Sequence, residues 1–447
     1  VSDLAKTPEP TKGPADRTDR TAPGDAVDAE PSAAPAAAAA PVDPRLLVRE
    51  QGFAGYWTEF VRKVRGGELG SLPVVVGLIV IGLVFQLQND KFLSASSLAN
   101  IAVFTSGVGI MSVGIVFVLL LGEIDLSVGS VAGVGAAVWA VLSVNHGWGD
   151  WLSVFVAIAS GLVIGVLHGF FFAKIGVPAF VVTLAGFLGW SGLQIWMMGK
   201  EGSINTPTGS VVEDLTTHFF ADKAAAYGLA LVAVLAYAGS QLWDSRRRKE
   251  AELPSRPLSE VLLRTGVLAV LAFVVAYFLN EPKGARGLPL ALVLFLAVLV
   301  IADFVARRTT FGRQVFAVGG NAEAARRAGI NVDRVRITVF AISGMLAAFG
   351  GLFIASLSGG ATKSLGSGNT LMIVIAAAVI GGTSLFGGRG KIWSAMLGML
   401  VIQSIQQGLN LEGMASEIQY MITGAVLLAA VVIDSVSRRT QKSAGRA

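Results

Sequence analysis

The chain has 447 residues, 53% hydrophobic and only 15% charged, with a mean hydropathy of +0.66. A water-soluble protein of this length carries far more charge, so composition excludes an ordinary soluble enzyme and points to an all-α, polytopic membrane protein in contact with the lipid bilayer. The formal charge of +5 does not mark a nucleic-acid binder, because the basic residues gather in loops beside apolar stretches, as they do when they orient membrane spans. The absence of cysteine removes disulfides, thiolate metal sites and cysteine nucleophiles. His146, His168 and His218 stand in no metal-ligand spacing, so no metal site is expected.

Residues 1–44 are rich in Ala, Pro, Asp, Thr and Lys and lack the apolar content that would offset the entropy of ordering; they are expected to be a disordered cytoplasmic tail. The tail has no apolar core of the signal-peptide kind. Residues 45–66 interleave basic with aromatic and aliphatic side chains, which predicts an interfacial amphipathic helix with Phe53, Tyr56, Trp57 and Phe60 at the lipid boundary. The transmembrane domain is expected over 71–434, with about twelve spans of roughly 20 residues each, the length an ~30 Å hydrocarbon layer demands. They fall near 72–87, 98–121, 126–144, 151–173, 177–198, 224–243, 261–279, 288–305, 337–357, 370–385, 392–409 and 418–433. A basic tail, 435–447, follows. An even count puts both termini on one side, together with Arg62, Lys63, Arg65, Arg246, Arg247, Arg248, Lys249, Arg307, Arg308, Arg313, Arg389, Lys391, Arg438 and Arg439. The positive-inside bias makes that side the cytoplasm, although Lys283 and Arg286 fall outside.

Gly129 and Gly133 in one span, and Gly161, Gly165 and Gly169 in another, have the spacing that lets helix backbones approach closely. Two Gly- and Ser-rich turns, 122–136 and 381–396, are loosely alike and suggest a worn duplication. Within the first, Glu123 and Asp125 place carboxylates at a junction of apolar spans, where an ionisable group is costly and a functional candidate. Asp125 reads first as a cap for a helix starting at Leu126, helped by Ser127 and Ser130; a proton relay with Glu123 is the competing role. Polar residues that border a solute path are Thr105, Ser106, Ser112, Thr183, Gln194, Asn369, Thr383, Gln403, Gln406 and Gln407, with Trp190 and Trp196 beside Gln194 as aromatic faces or interfacial anchors.

The stretch 311–335 is polar, basic and helical in pattern, yet lies between apolar segments. Asn321 suits an N-cap, Glu323 the positive end of the helix dipole, and Ala324 and Ala325 a flat helical surface. Arg326 and Arg327 close the second turn, and Gly329 supplies a left-handed C-terminal residue. A helix this short is not stable alone in water and needs bracing by spans or by a soluble partner.

Glu323-Ala324-Ala325 followed after three residues by Gly329 resembles the coupling loop of bacterial ATP-binding cassette importer permeases. The run 119–138, LLLGEIDLSVGSVAGVGAAV, resembles the signature of their ribose/xylose-type branch, and the stretches from Gly176, Phe311 and Ala376 match in the same order. Glu123, where ribose permeases have Gly, together with an additional loop and span over 243–287, looks more like the xylose type. The resemblance implies an inner-membrane, multi-pass permease subunit, not an enzyme, that imports a monosaccharide as a homodimer. It implies a cassette ATPase at the 321–329 helix and an extracytoplasmic sugar-binding protein on the other side. ATP would be used by the partner, since the chain has no phosphate-binding loop of the G-x-x-x-x-G-K-[ST] form and is expected to bind no cofactor itself. The alternative is an ion-coupled secondary transporter of a small polar solute, which requires ionisable residues deep in the bundle. A membrane-embedded enzyme would require a convergent nucleophile or metal constellation, which the sequence does not display.

Overall fold

The structure is a computed structural model that describes residues 72–250, 258–280 and 284–443. The tail at 1–44, the helix expected at 45–66, and Lys283 lie outside the described residues, as do 444–447.

In chain order the helices are α1 (Leu72–Gln88), α2 (Ala95–Leu120), α3 (Val128–Ala140), α4 (Asp150–Phe170), α5 (Ala179–Met197), the short α6 (Val211–Thr217), α7 (Lys223–Glu250), α8 (Leu258–Asn280), α9 (Leu290–Arg308), α10 (Thr310–Gly320), α11 (Ala322–Arg327), α12 (Val332–Leu357), α13 (Thr370–Ile380), α14 (Ser394–Leu411) and α15 (Ser416–Ser443). One π turn extends α3 to Asn145 and another extends α4 to Ile175. Among the described residues, eight helices are long and apolar enough to cross a membrane: α2, α3, α4, α5, α7, α8, α9 and α12. Helices α1 and α13 are apolar but shorter. The span expected over 370–385 is corrected: its helix stops at Ile380, where Gly381 and Gly382 open a turn.

The bundle is built around α12. Its Phe340, Leu352 and Phe353 are fully buried, and α2, α3 and α4 pack against it. Without a hydrophobic drive between helices in lipid, association rests on close approach and dispersion. The glycines supply that approach. A Cβ built on Gly161 would lie 2.3 Å from the Gly344 carbonyl oxygen, one on Gly165 2.2 Å from that of Phe340, and one on Gly169 2.6 Å from the Ile337 Cα. The expected packing stripe of α4 is thus seated backbone-to-backbone on α12. Helices α7 and α8 pair with each other and reach the bundle through Ala226 and Leu279, which cluster with Ala99 and Leu288. Their outer residues Leu262, Leu263, Val267 and Val270 are exposed, as befits a lipid-facing hairpin.

At the end of α12 that carries Leu357, two small antiparallel ladders stitch the connections together. β1 (Ser203–Asn205) pairs with β4 (Gly360–Thr362), Ser203 opposite Thr362, and β2 (Phe219–Phe220) pairs with β3 (Leu288–Pro289). Asp150 gathers this end, accepting from the Trp139 indole at 2.9 Å and from the backbone amide of Val211, which opens α6. Ser356 donates to the Glu213 carbonyl at 3.0 Å and so fastens α6 to α12.

Candidate transmission site at the α11 end

At the opposite end the chain makes three turns around one short helix. Thr309 caps α10 by accepting from the Gly312 amide at 3.1 Å. Asn321, extended at φ −161°, ends α10 and caps α11, its side-chain oxygen accepting from the Ala324 amide at 2.9 Å. Gly329, at φ +82°, turns the chain out of α11, where a Cβ would be strained. Asn331 then caps α12. Glu323 pairs with Arg327 at 3.3 Å and Arg326 at 3.6 Å, all three exposed, while Ala325 is buried against the bundle. Two turns of helix thus present a charged outer face and a small apolar inner one.

Bare backbone joins this unit to the spans. A Cβ on Gly319, at the end of α10, would lie 1.8 Å from the carbonyl oxygen of Leu120, the last residue of α2. That same oxygen accepts from the Gly388 amide at 2.9 Å. A Cβ on Gly387 would meet Gly319 at 2.8 Å and Gly122 at 2.9 Å. The two Gly-rich turns that the sequence shows as alike therefore touch each other, with α10 between them.

From Leu120 the chain runs through Gly122–Ser127 to α3, and Asp125 holds it in place. The carboxylate, 3% exposed, accepts from the Ser127 amide at 2.9 Å, the Ser127 hydroxyl at 2.6 Å and the Ser343 hydroxyl of α12 at 2.9 Å. Ser127 continues to His168 Nδ1 on α4 at 3.3 Å, and His168 Nε2 accepts from the Trp190 indole on α5 at 2.8 Å. The donors and acceptors agree only if the imidazole is neutral with its hydrogen on Nδ1. One buried chain of hydrogen bonds so ties the α2–α3 connection to α4, α5 and α12. The capping role expected for Asp125 is corrected: α3 begins at Val128 rather than Leu126, which leaves the carboxylate reaching Ser127 and a different helix. Ser130 donates to the Ser127 carbonyl at 2.8 Å.

Glu123 lies at the edge of this network. Partial burial pushes its carboxyl above the ordinary carboxylate range, an effect opposed by the charge of Arg336. Arg336 itself stands over the Phe172 ring at 4.4 Å, and Lys174 pairs with Asp333 at 3.0 Å, so charges ring this end of the bundle.

A family described as the permease component of branched-chain amino acid transport systems matches residues 97–431. The chain belongs to this permease family. The permease is 36% identical to the xylose transport system permease protein of Escherichia coli (strain K12), over 82% of this chain and 92% of that one. It is 32% identical to the xylose transport system permease protein of Haemophilus influenzae, over 84% and 99% of the two chains. It is 28% identical to the ribose import permease protein of Bacillus subtilis (strain 168), over 82% and 94%. No solved structure matches it.

The remaining sequence-selected residues of the permease scatter. Thr183 is buried on α5 and donates to the Ala179 carbonyl at 3.0 Å. Gln194, one helix face further on, donates to the carbonyls of Thr362 at 2.8 Å and Leu365 at 3.1 Å. Both amide hydrogens are thereby committed to main chain. Gly129 sits under Gly366, and Asn369 is exposed at the start of α13, which it does not cap with its side chain. Thr383 is buried in the α13–α14 turn with its hydroxyl unpartnered. Among the other polar candidates, Ser112 donates to the Val374 carbonyl at 3.0 Å and Thr105 is buried without a partner. His168 and Ser343 were missed by sequence reasoning. Neither lies in a motif; the available signal was a lone histidine, Leu167-His168-Gly169, inside an otherwise uncharged span.

Proposed function

We propose that the chain is the membrane-spanning permease subunit of an ATP-binding cassette importer that moves a monosaccharide, xylose or a related pentose or hexose, into the cytoplasm. The observation that carries this is the likeness to xylose permeases along nearly their whole length, 92% and 99% of the two. The family's description speaks of branched-chain amino acids, whereas these relatives carry sugar names; the relatives match over 82–84% of the chain at up to 36% identity and weigh more for the solute. The protein is not an enzyme; ATP is hydrolysed by a separate cassette subunit that docks on α11 through Asn321, Glu323, Ala324, Ala325, Arg326, Arg327 and Gly329. A sugar-binding protein delivers the solute from the other side, and two copies of the permease form the path. In this reading α1, α14 and α15, and α13 together with the connection before it, join the eight long helices to make twelve crossings, and both termini and α11 lie in the cytoplasm of a bacterial inner membrane. The signature residues Glu123, Asp125, Ser127 and Gly129 act by holding the α2–α3 connection between α11 and the bundle, Thr183 and Gln194 act by positioning backbone, and Thr383, buried in the α13–α14 turn, and Asn369 border the path.

The test is reconstitution of the permease with its cassette ATPase and sugar-binding protein in vesicles. Uptake of labelled D-xylose should require all three components and ATP. Uptake that persists with ATP depleted and collapses with an uncoupler would establish the ion-coupled transporter instead, and uphill accumulation by this polypeptide alone would overturn the assignment.

A further inference from the structure

Two connections interrupt the helical spans of this bundle, 121–127 before α3 and 358–369 before α13, and they meet. Their depth follows from the register along α12. Its apolar part runs from Ile337, just past Asp333, Arg334 and Arg336, to Leu357, a rise of about 30 Å that matches the hydrocarbon layer. Gly351, about 21 Å along that rise, packs on Ala132 of α3: its Cβ would lie 2.1 Å from the Ala132 carbonyl oxygen. Gly135, one turn further along α3, packs on Ala348, about 17 Å along the rise, its Cβ 2.7 Å from that of Ala348. Gly129 is closer to the α11 end than both Ala132 and Gly135, so the two contacts put it about 8–17 Å deep. There a Cβ on Gly129 would lie 2.1 Å from the Gly366 carbonyl oxygen, and one on Gly366 1.9 Å from that of Gly129. The segment after Leu357 therefore turns back well inside the layer.

Helix α13 gives the same depth from the other direction. It spans 11 residues, a rise of about 16 Å, and the turn after it reaches Leu120 through Gly388. Starting at the α11 end, α13 covers only half the layer, so Thr370 lies near its middle. The bond from Ser112 to the Val374 carbonyl fixes α13 at the matching height on α2.

Irregular backbone at that depth cannot face hydrocarbon; it is either buried in protein or lines water. The first connection is buried, with Asp125 and Ser127 bonded inward. The second is divided. Leu365 and Gly366 are buried, and Gln194 of α5 holds the carbonyls of Thr362 and Leu365. Ser364, Ser367, Gly368 and Asn369 are exposed, and Asn369 leaves its side-chain amide unused at the start of α13. No charged residue occurs from Ser364 to Thr370.

We propose that Ser364–Thr370 lines a water-filled section of the transport path at mid-membrane, and that Ser367 and Asn369 hydrogen-bond a neutral polyhydroxylated solute there. The Asn369 carboxamide offers donors and an acceptor, and the Ser367 oxygen, whose hydrogen goes to the Ser364 carbonyl, offers an acceptor, in the mixture a sugar presents. The identity of the solute rests on the sugar-importer reading; the aqueous lining does not.

The chain has no cysteine, so single-cysteine variants are selective probes. Ser367→Cys, Asn369→Cys and, on the lipid-facing side of α8, Leu263→Cys are assembled with the cassette ATPase and sugar-binding protein in vesicles. Each is treated with a charged, membrane-impermeant methanethiosulfonate. Since the ionised thiol is the reacting form, the two path positions should react at least about tenfold faster than Leu263→Cys. D-Xylose supplied with ATP and the binding protein should slow Asn369→Cys several-fold. Reaction at 367 and 369 no faster than at 263 would overturn the lining, and rates indifferent to D-xylose in vesicles that take it up would overturn the contact. Fast reaction in vesicles that take up no D-xylose would uphold the lining and count against the sugar reading instead. Ser367→Cys carries the test by itself if Asn369→Cys does not assemble.

Discussion

Replacing Gly319 by Ala tests whether α11 reaches the spans through backbone contact. The new methyl carbon would lie 1.8 Å from the Leu120 carbonyl oxygen and 3.0 Å from the Gly388 amide nitrogen, whereas real Cβ atoms essentially never come closer than 3.0 Å. Backbone must therefore move by about 1.2 Å, at an overpacking cost of about 1–3 kcal/mol. If Leu120 yields, its 2.9 Å bond from Gly388 opens to about 4 Å, beyond hydrogen-bond range; if α10 yields, α11 moves with it. Either way the docking helix and the α2 terminus lose their fixed relation. Coupling energies of about 1–3 kcal/mol correspond to about 5- to 150-fold, so xylose transported per ATP should fall at least about fivefold while hydrolysis continues. The neighbouring Gly320→Ala is the control, since its Cβ would meet nothing within 4 Å. ATPase and uptake are measured on the same reconstituted complexes. Normal coupling in Gly319→Ala, or equal loss in Gly320→Ala, would refute the reasoning.

Asp125→Ala strands the buried Ser127 amide and two hydroxyls that now converge on the carboxylate; at about 1–3 kcal/mol for each group that finds no other acceptor, a loss of about 2–4 kcal/mol is expected, with Asp125→Asn milder. Thermal unfolding in detergent reads this, and an unchanged midpoint for Asp125→Ala counts against the network. Glu323→Lys places a third positive charge beside Arg326 and Arg327 at the start of α11; hydrolysis should proceed without uptake, and intact coupling would reduce Glu323 to a helix-start charge. For Glu123 the folded carboxyl titrates above its ordinary value of 4.5 because it is partly buried. Such a group contributes stability that is fully present below the unfolded value and lost as pH rises through the folded one. The wild type should therefore lose stability relative to Glu123→Gln on going upward from pH 4.5; parallel unfolding midpoints across that range would refute it.

The sequence is most legible where local chemistry decides the backbone. Asn321 and Gly329 have one favourable place each around a short helix, and the structure has the cap and the positive φ at those residues. The glycine spacing of α4 was equally plain, because small residues repeated along one face have few uses other than close packing. Asp125 was misread for a physical reason. An aspartate before an apolar run is indistinguishable from an N-cap until the helix start is known, and Leu126 and Ser127 stay outside α3. His168 was invisible because its partners Ser127 and Trp190 come from the α2–α3 connection and from α5. The extent of α13 was misjudged because hydropathy does not see where a helix ends: residues 370–385 are apolar enough for a span, but the helix stops at Ile380, and the chain before it folds back onto Gly129 through Gly366.

These contacts leave no gap between α11 and the turn before α13. Gly319 lies on Leu120, whose chain continues to Asp125; Asp125 is held by Ser343 on α12 and, through Ser127 and His168, by Trp190 on α5. Gln194, one turn along α5 from Trp190, grips the carbonyls of Thr362 and Leu365, beside the exposed Ser364, Ser367, Gly368 and Asn369. Each link is backbone contact or a buried hydrogen bond, and neither kind stretches by an ångström without breaking. A bundle joined in this way does not absorb a push on α11 as local give. On the proposed reading a push on α11 would pass to α5 and α12 as a rigid displacement, and the stretch free to answer would be the one with exposed polar residues, Ser364, Ser367 and Asn369.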